Sequence, residues 1–136
     1  MSPVTPRLAT AAKLARVLVV DDEPLVGRAV RRVLADRSEV MSVTSAREAL
    51  ALLADGGQAF DVIFCDLMMP DMTGPEFRTA LATTRPDLVR NLVFITGGAF
   101  TPEMEQFLAQ SGCKQLLKPF DVAVLRSVVE EAARGR

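Results

Sequence analysis

Short runs of consecutive apolar residues alternate along this chain with segments whose apolar positions recur at the spacing of a helix face. The first run, Arg16 to Val20, reads as a buried strand. From Pro24 to Asp36 the apolar residues Val26, Val30, Val33 and Leu34 fall at i, i+4, i+7 and i+8, one side of a helix. Pro24 suits the first position, where a missing N–H costs nothing. Val40 to Val43 is a weaker strand. Ser45 and Glu48 have capping-box spacing, and Ala46, Ala49, Leu50 and Leu53 line the helix that follows, which Gly56 and Gly57 end. Val62 to Cys65 is the third strand; a loop from Met68 to Thr73 leads to a helix carrying Phe77 and Leu81. Leu92 to Ile95 is the fourth strand, and Thr101-Pro102 open a helix with Met104, Phe107 and Leu108 on one side. Gln115 to Leu117 is the last strand. Asp121 caps a final helix striped by Leu125, Val128, Val129 and Ala132.

Five strands thus alternate with five helices. Continuous apolar strands need cover on both sheet faces. Right-handed crossovers then give an α/β fold, a doubly wound parallel sheet with helices on both sides. Strand order 2-1-3-4-5 is the common arrangement for five such units. Residues 1–13, rich in Pro, Thr and Ala and without a period, read as a flexible N-terminal tail or linker, and 14–136 as one domain.

Composition narrows the function. The 136 residues fit one compact domain, and 49% of them are apolar, enough for a real core. Sixteen basic residues face seventeen acidic ones. That balance leaves no electrostatic footprint for nucleic acid and no basic strip for an anionic membrane. No apolar run approaches the roughly 20 residues that span a bilayer, and the first residues lack a signal-peptide pattern; a cytoplasmic location is expected. Cys65 and Cys113 are too few for a disulfide framework or a zinc site, and Cys65, inside an apolar run, reads as a small buried hydrophobe. The chain has no histidine, which removes Ser-His hydrolysis and His-containing zinc sites. Any chemistry must use carboxylates, Lys, Thr and Ser.

Ligands of open α/β sheets bind beyond the carboxyl ends of the strands. Asp21 and Asp22 follow the first strand, Asp66 the third, Thr96 with Gly97 and Gly98 the fourth, and Lys118 with Pro119 the fifth. Singly, each is an ordinary turn residue or helix cap. Jointly they would be an odd accident, because clustered carboxylates repel and lose hydration unless a cation uses them. Oxygen ligands without His or Cys select Mg²⁺, or Mn²⁺, over zinc or copper. Lys118 would neutralise a phosphoryl oxygen, the Thr96 hydroxyl could donate to another, and Gly97 leaves room for the group. No Cys or Ser follows these strands in the right place, so the nucleophile is a carboxylate, and Asp66 is the central one.

These pieces resemble the response-regulator receiver (CheY-like) family of two-component signalling, with its flavodoxin-like (βα)5 fold. The matching segments are Val17 to Pro24, Asp66 to Pro70 with Met72-Thr73-Gly74, Thr96-Gly97, and Lys118-Pro119-Phe120; the likeness covers Arg16 to Ala133. The resemblance implies that Asp66 accepts a phosphoryl group from the phosphohistidine of a histidine kinase or histidine phosphotransfer protein. It implies that Asp22, Asp66 and the Met68 carbonyl ligate Mg²⁺, that Asp21 holds the ion through water, and that Thr96 and Lys118 bind phosphoryl oxygens. It further implies a cis Lys118–Pro119 bond, kinase docking around Leu25 and Arg28, and output by contact of the fourth helix, fifth strand and fifth helix with a downstream protein. No reaction is implied beyond the chain's own phosphorylation and dephosphorylation.

One position departs from the family. Its usual aromatic residue three places before the Lys is here Gln115, which reads as a different output surface or a weak switch. Three other readings compete with the receiver, of which a flavodoxin-like flavin binder would want a Ser/Thr/Gly phosphate loop where Asp21, Asp22, Glu23 and Pro24 stand. A hydrolase with an aspartyl intermediate wants a second acid where Met68 stands. A pseudo-receiver, an interaction module indifferent to phosphate, would have no use for Asp21, Asp22, Asp66, Thr96 and Lys118.

Overall fold

The computed structural model describes residues 15–56, 59–98 and 101–135. The segment read as a tail, 1–13, lies outside these, as does Gly57. In chain order the elements are β1 (Ala15–Val20), α1 (Pro24–Leu34), β2 (Ser38–Val43), α2 (Ala46–Ala54), β3 (Val62–Asp66), α3 (Gly74–Thr84), a 3-10 helix (Pro86–Asn91), β4 (Leu92–Thr96), α4 (Pro102–Ser111), β5 (Lys114–Leu117) and α5 (Val122–Arg134). The strands pair in the order β2-β1-β3-β4-β5, every pairing parallel. This is the doubly wound, flavodoxin-like sheet expected.

Alternation along each strand divides the core in two. Val17, Val19, Phe64, Val93 and Ile95 face α1 and α5, where Val30, Leu34, Leu125 and Val129 meet them. Leu18, Val20, Ile63, Cys65 and Phe94 face the other way, onto Ala46, Leu53, Phe77, Leu81 and Leu108 of α2, α3 and α4. The central strands β1, β3 and β4 are therefore covered on both sides, which is why they read as unbroken apolar runs. The edge strands β2 and β5 are half exposed and read more weakly.

Three details differ from the sequence reading. α1 stops at Leu34, because the Arg37 N–H closes a turn onto the Leu34 carbonyl at 3.0 Å. The Ser45 capping box is half made. Ser45 Oγ accepts the Glu48 N–H at 3.0 Å, but the Glu48 carboxylate accepts from Thr44, one residue outside the cap, at 3.3 Å. The complete box is at α3, where Thr73 Oγ1 accepts the Glu76 N–H and Glu76 accepts the Thr73 N–H. The 3-10 helix was not anticipated; it buries Leu88 beneath the second core.

Gly74 locks the chain directly after the β3–α3 loop. Its N–H donates to the Leu67 carbonyl at 2.7 Å. A β-carbon there would lie 2.6 Å from Leu67 Cδ1 and 2.9 Å from Phe94 Cε1. Both side chains are buried and neither can step aside. Gly74→Ala is predicted to destabilise the fold by about 1–3 kcal/mol, the usual range for overpacking a core, read as a lower denaturation midpoint at an unchanged slope.

Candidate functional site

Parallel pairing brings the ends of the strands into one row. Val20 pairs with Cys65, Asp66 with Ile95 and Thr96 with Leu117. The residues next along β1, β3, β4 and β5 therefore meet at the carboxyl edge of the sheet. Asp21, Asp66, Thr96 and Lys118 all stand there, and Asp22 lies beside Asp21.

Asp21 is buried. Its Oδ1 accepts the Glu23 N–H at 2.9 Å. Its Oδ2 is shut away from water and receives no well-aligned hydrogen bond; the nearest cation, Lys118 Nζ, lies 3.1 Å from it. Asp66 Oδ1 accepts the Met68 N–H at 3.1 Å, and its Oδ2 is 3.9 Å from the same Nζ. Asp22 is exposed. Each of the three carboxylates offers an oxygen within 4.8 Å of the others. Thr96 is buried, and its Oγ1 accepts the Gly98 N–H at 3.1 Å. Its carbonyl accepts the Lys118 N–H at 2.8 Å, which seats the lysine over the carboxylates. A cavity of about 180 Å³ opens beside Asp66, lined also by Met68, Thr96, Gly97, Thr101 and Met104.

The electrostatics follow from this crowding. Burial pushes the Asp66 carboxyl up. The Asp21 and Asp22 charges add to that, while the Met68 N–H and Lys118 oppose it without reversing it. Burial works against the Lys118 ammonium, but the Asp21 carboxylate and the charges of Asp66 and Asp22 outweigh it and hold the lysine above its ordinary range. Burial, then the charges of Asp66 and Asp21, push the Cys65 thiol well up, so it stays protonated and inert. The donors fit a hard divalent cation. All are oxygens, the buried Asp21 Oδ2 faces only the Lys118 ammonium without a well-aligned hydrogen bond, and net negative charge is left over after Lys118.

The family model described as Response regulator receiver domain matches residues 17–130. This chain belongs to the response-regulator receiver domains of two-component systems. The receiver domain is 37% identical over 125 residues to the hydrogenase transcriptional regulatory protein HoxA of Cupriavidus necator, covering 91% of this chain and 25% of that protein. It is 32% identical over 118 residues to the sensor kinase CckA of Brucella abortus, covering 86% of this chain and 12% of that one. It thus spans a quarter or less of these two relatives. Among solved structures, chemotaxis protein CheY4 of Vibrio cholerae superposes with a TM-score of 0.72 at 31% identity, over 88% of this chain and 98% of that one.

The receiver's other sequence-marked positions are also visible. The Lys118–Pro119 bond is cis. Leu25 and Arg28 are exposed on α1, and Met68 is exposed beside Asp66. Gln115 lies on β5 with its side chain exposed, so its amide needs no buried partner. Thr101 and Met104 were not marked in advance. Thr101 caps α4 through the Met104 N–H at 3.2 Å, and the turn of α4 carries both to the cavity wall.

Asp66 ionises against its surroundings, so replacing the charge should relieve the fold. A folded-state value raised above the unfolded one means a penalty at neutral pH that fades as pH falls below the ordinary carboxylate range. In metal-free buffer, Asp66→Asn is predicted to raise the Tm of the receiver at pH 7. Thermal scans at descending pH should show that gain shrinking to nothing once the wild-type carboxyl is protonated in both states.

Proposed function

We propose that this receiver takes a phosphoryl group onto Asp66 from the phosphohistidine of a histidine kinase or histidine phosphotransfer protein, in a Mg²⁺-dependent reaction, and signals by protein contact. The observation that carries this reading is a half-buried carboxylate that shares one small cavity with Thr96 and has the Lys118 ammonium 3.9 Å away. An Asp66 oxygen forms the new O–P bond as the P–N bond to histidine breaks. The imidazole leaves with the electron pair and is then protonated.

Asp21, Asp22, Asp66 and the Met68 carbonyl would hold Mg²⁺, and Mn²⁺ suits the same oxygens. When bound, the ion neutralises charge on the phosphoryl oxygens. The Lys118 ammonium, already beside Asp66, binds another phosphoryl oxygen. Thr96, whose Oγ1 already accepts the Gly98 N–H, donates its hydroxyl hydrogen to a third. The exposed Leu25 and Arg28 of α1 suit a phosphodonor's docking surface. Output runs through the face of α4, β5 and α5, where Gln115 and Leu117 are exposed, to a downstream protein in the cytoplasm. The chain acts on no outside substrate.

Intact-mass analysis tests this. With Mg²⁺ and acetyl phosphate the wild type should gain one phosphoryl group, and Asp66→Asn none. A wild type that responds neither to acetyl phosphate nor to beryllofluoride would make the domain a pseudo-receiver. Mg²⁺ alone should stabilise the fold by about 2.7 kcal/mol at a hundred times its Kd, an effect that a chelator removes. Met68 and Gly98 offer no polar side chain to aim a water at the phosphorus. Labelled phosphate on the purified protein is therefore expected to persist for more than a few seconds.

A further inference from the structure

A helix must satisfy the N–H groups of its first turn from outside its own ladder. In α2 the Glu48 N–H goes to Ser45 Oγ. The two N–H groups before it go far along the chain. Asp71 Oδ1 accepts from Ala46 at 3.4 Å, and Asp71 Oδ2 accepts from Arg47 at 3.1 Å. Asp71 sits in the loop between β3 and α3, the loop that starts at Asp66.

The base of that loop is closed by its own bonds. Met68 donates to Asp66 Oδ1, Gly74 donates to the Leu67 carbonyl, and Met68 bridges Thr73. The Leu67 N–H also donates to the Ile95 carbonyl, and Leu67 and Met69 are buried in the core shared with α2, but none of these hydrogen bonds ties the loop to another helix. Asp71 does. α2 is itself immobilised, with Ala46, Ala49 and Leu53 fully buried in the core. A carboxylate straddling two N–H groups at a helix N-terminus is favoured by the macrodipole as well as by the bonds.

We propose that Asp71 is a positioning residue: by capping α2 from outside, it clamps the phosphoacceptor loop and holds the Met68 backbone where its carbonyl serves the cation site. The cation part rests on the function proposed above. The clamp does not. Loss of a partner bonded directly to a metal ligand weakens metal binding by about ten- to a hundred-fold, and Asp71, which acts on the ligand only through the loop, belongs at the lower end. Asp71→Ala should therefore bind Mg²⁺ about ten-fold more weakly by calorimetry, at a temperature where every variant is folded. Asp71→Asn keeps an acceptor oxygen and should recover most of the affinity. Ser45→Ala removes a cap from the same helix without touching the loop, and should leave the affinity at the wild-type level.

The proposal is overturned if Asp71→Ala binds Mg²⁺ as tightly as wild type, or if Ser45→Ala loses as much. Amide exchange without metal gives an independent reading. The Met68 and Gly74 amides should exchange severalfold faster in Asp71→Ala than in Ser45→Ala, and equal rates would sink the clamp. Should the wild type bind no Mg²⁺ at all, the functional reading fails, and the exchange rates still decide what Asp71 does.

Discussion

Three carboxylates held within 4.8 Å of one another by a sheet that cannot yield are the constraint on which this structure turns. In water such groups would drift apart or take up a proton. Here Asp21 and Asp66 extend strands buried on both faces, so separating them would mean breaking the packing of Val20, Cys65 and Phe64. The fold tolerates the repulsion because one ammonium is placed against it. Lys118 is held from two directions, by its N–H on the Thr96 carbonyl and by its Nζ on Asp21. One positive charge against three negative ones leaves a surplus. That surplus is a standing demand for a cation; it adds to the burial that raises the Asp66 carboxyl, and it outweighs the burial that works against the Lys118 ammonium.

The central part of this arrangement was legible in the sequence because its signals are local. Apolar runs marked β1, β3 and β4, and the register of parallel pairing carried the residues after them to one edge. The less legible parts depend on contacts between distant segments. Nothing near Ser45 told that Glu48 would reach past its own cap to Thr44, since both geometries use the same spacing. The Thr73 and Glu76 box has readable spacing, but Thr73 reads in the sequence only as the last residue of the loop that leads to the helix. Asp71 had no local signal at all. Its partners are 24 and 25 residues earlier, and only the packing of α2 beside the β3–α3 loop unites them. Thr101 and Met104 reach the cavity for the same reason, through the placement of α4.

Gln115 shows how burial changes the meaning of a substitution. A glutamine in place of an aromatic ring would be a serious change at a position that must be buried, because the amide would need partners. On the edge strand β5 it is exposed, and Leu116 alone of that strand turns inward. The exposed Leu117 follows it, so the surface here is a polar residue beside an apolar one. Thr96 is tied to Gly98 by its hydroxyl and to Lys118 by its carbonyl. Any movement of Thr96 is thereby passed directly to the chain leaving β4 and to the chain leaving β5.

These ties explain why a surplus of negative charge at the site matters beyond the site. Three of the groups that feel it are joined by hydrogen bonds to the connections that leave the sheet. Asp21 is tied to Glu23 at the start of α1, Asp66 to Met68 in the β3–α3 loop, and Thr96 to Gly98 and Lys118. Adding positive charge or a phosphoryl group changes the forces on all three at once. A packed core answers such a change by moving between discrete arrangements rather than by deforming smoothly. The helices on the two faces of the sheet then differ in what they can sense. α1 and the β3–α3 loop hang on the carboxylates. α4 and β5 hang on Thr96 and Lys118. The α1 face proposed to dock a phosphodonor and the α4–β5–α5 face proposed to meet a target are in this way coupled to opposite sides of one electrostatic balance.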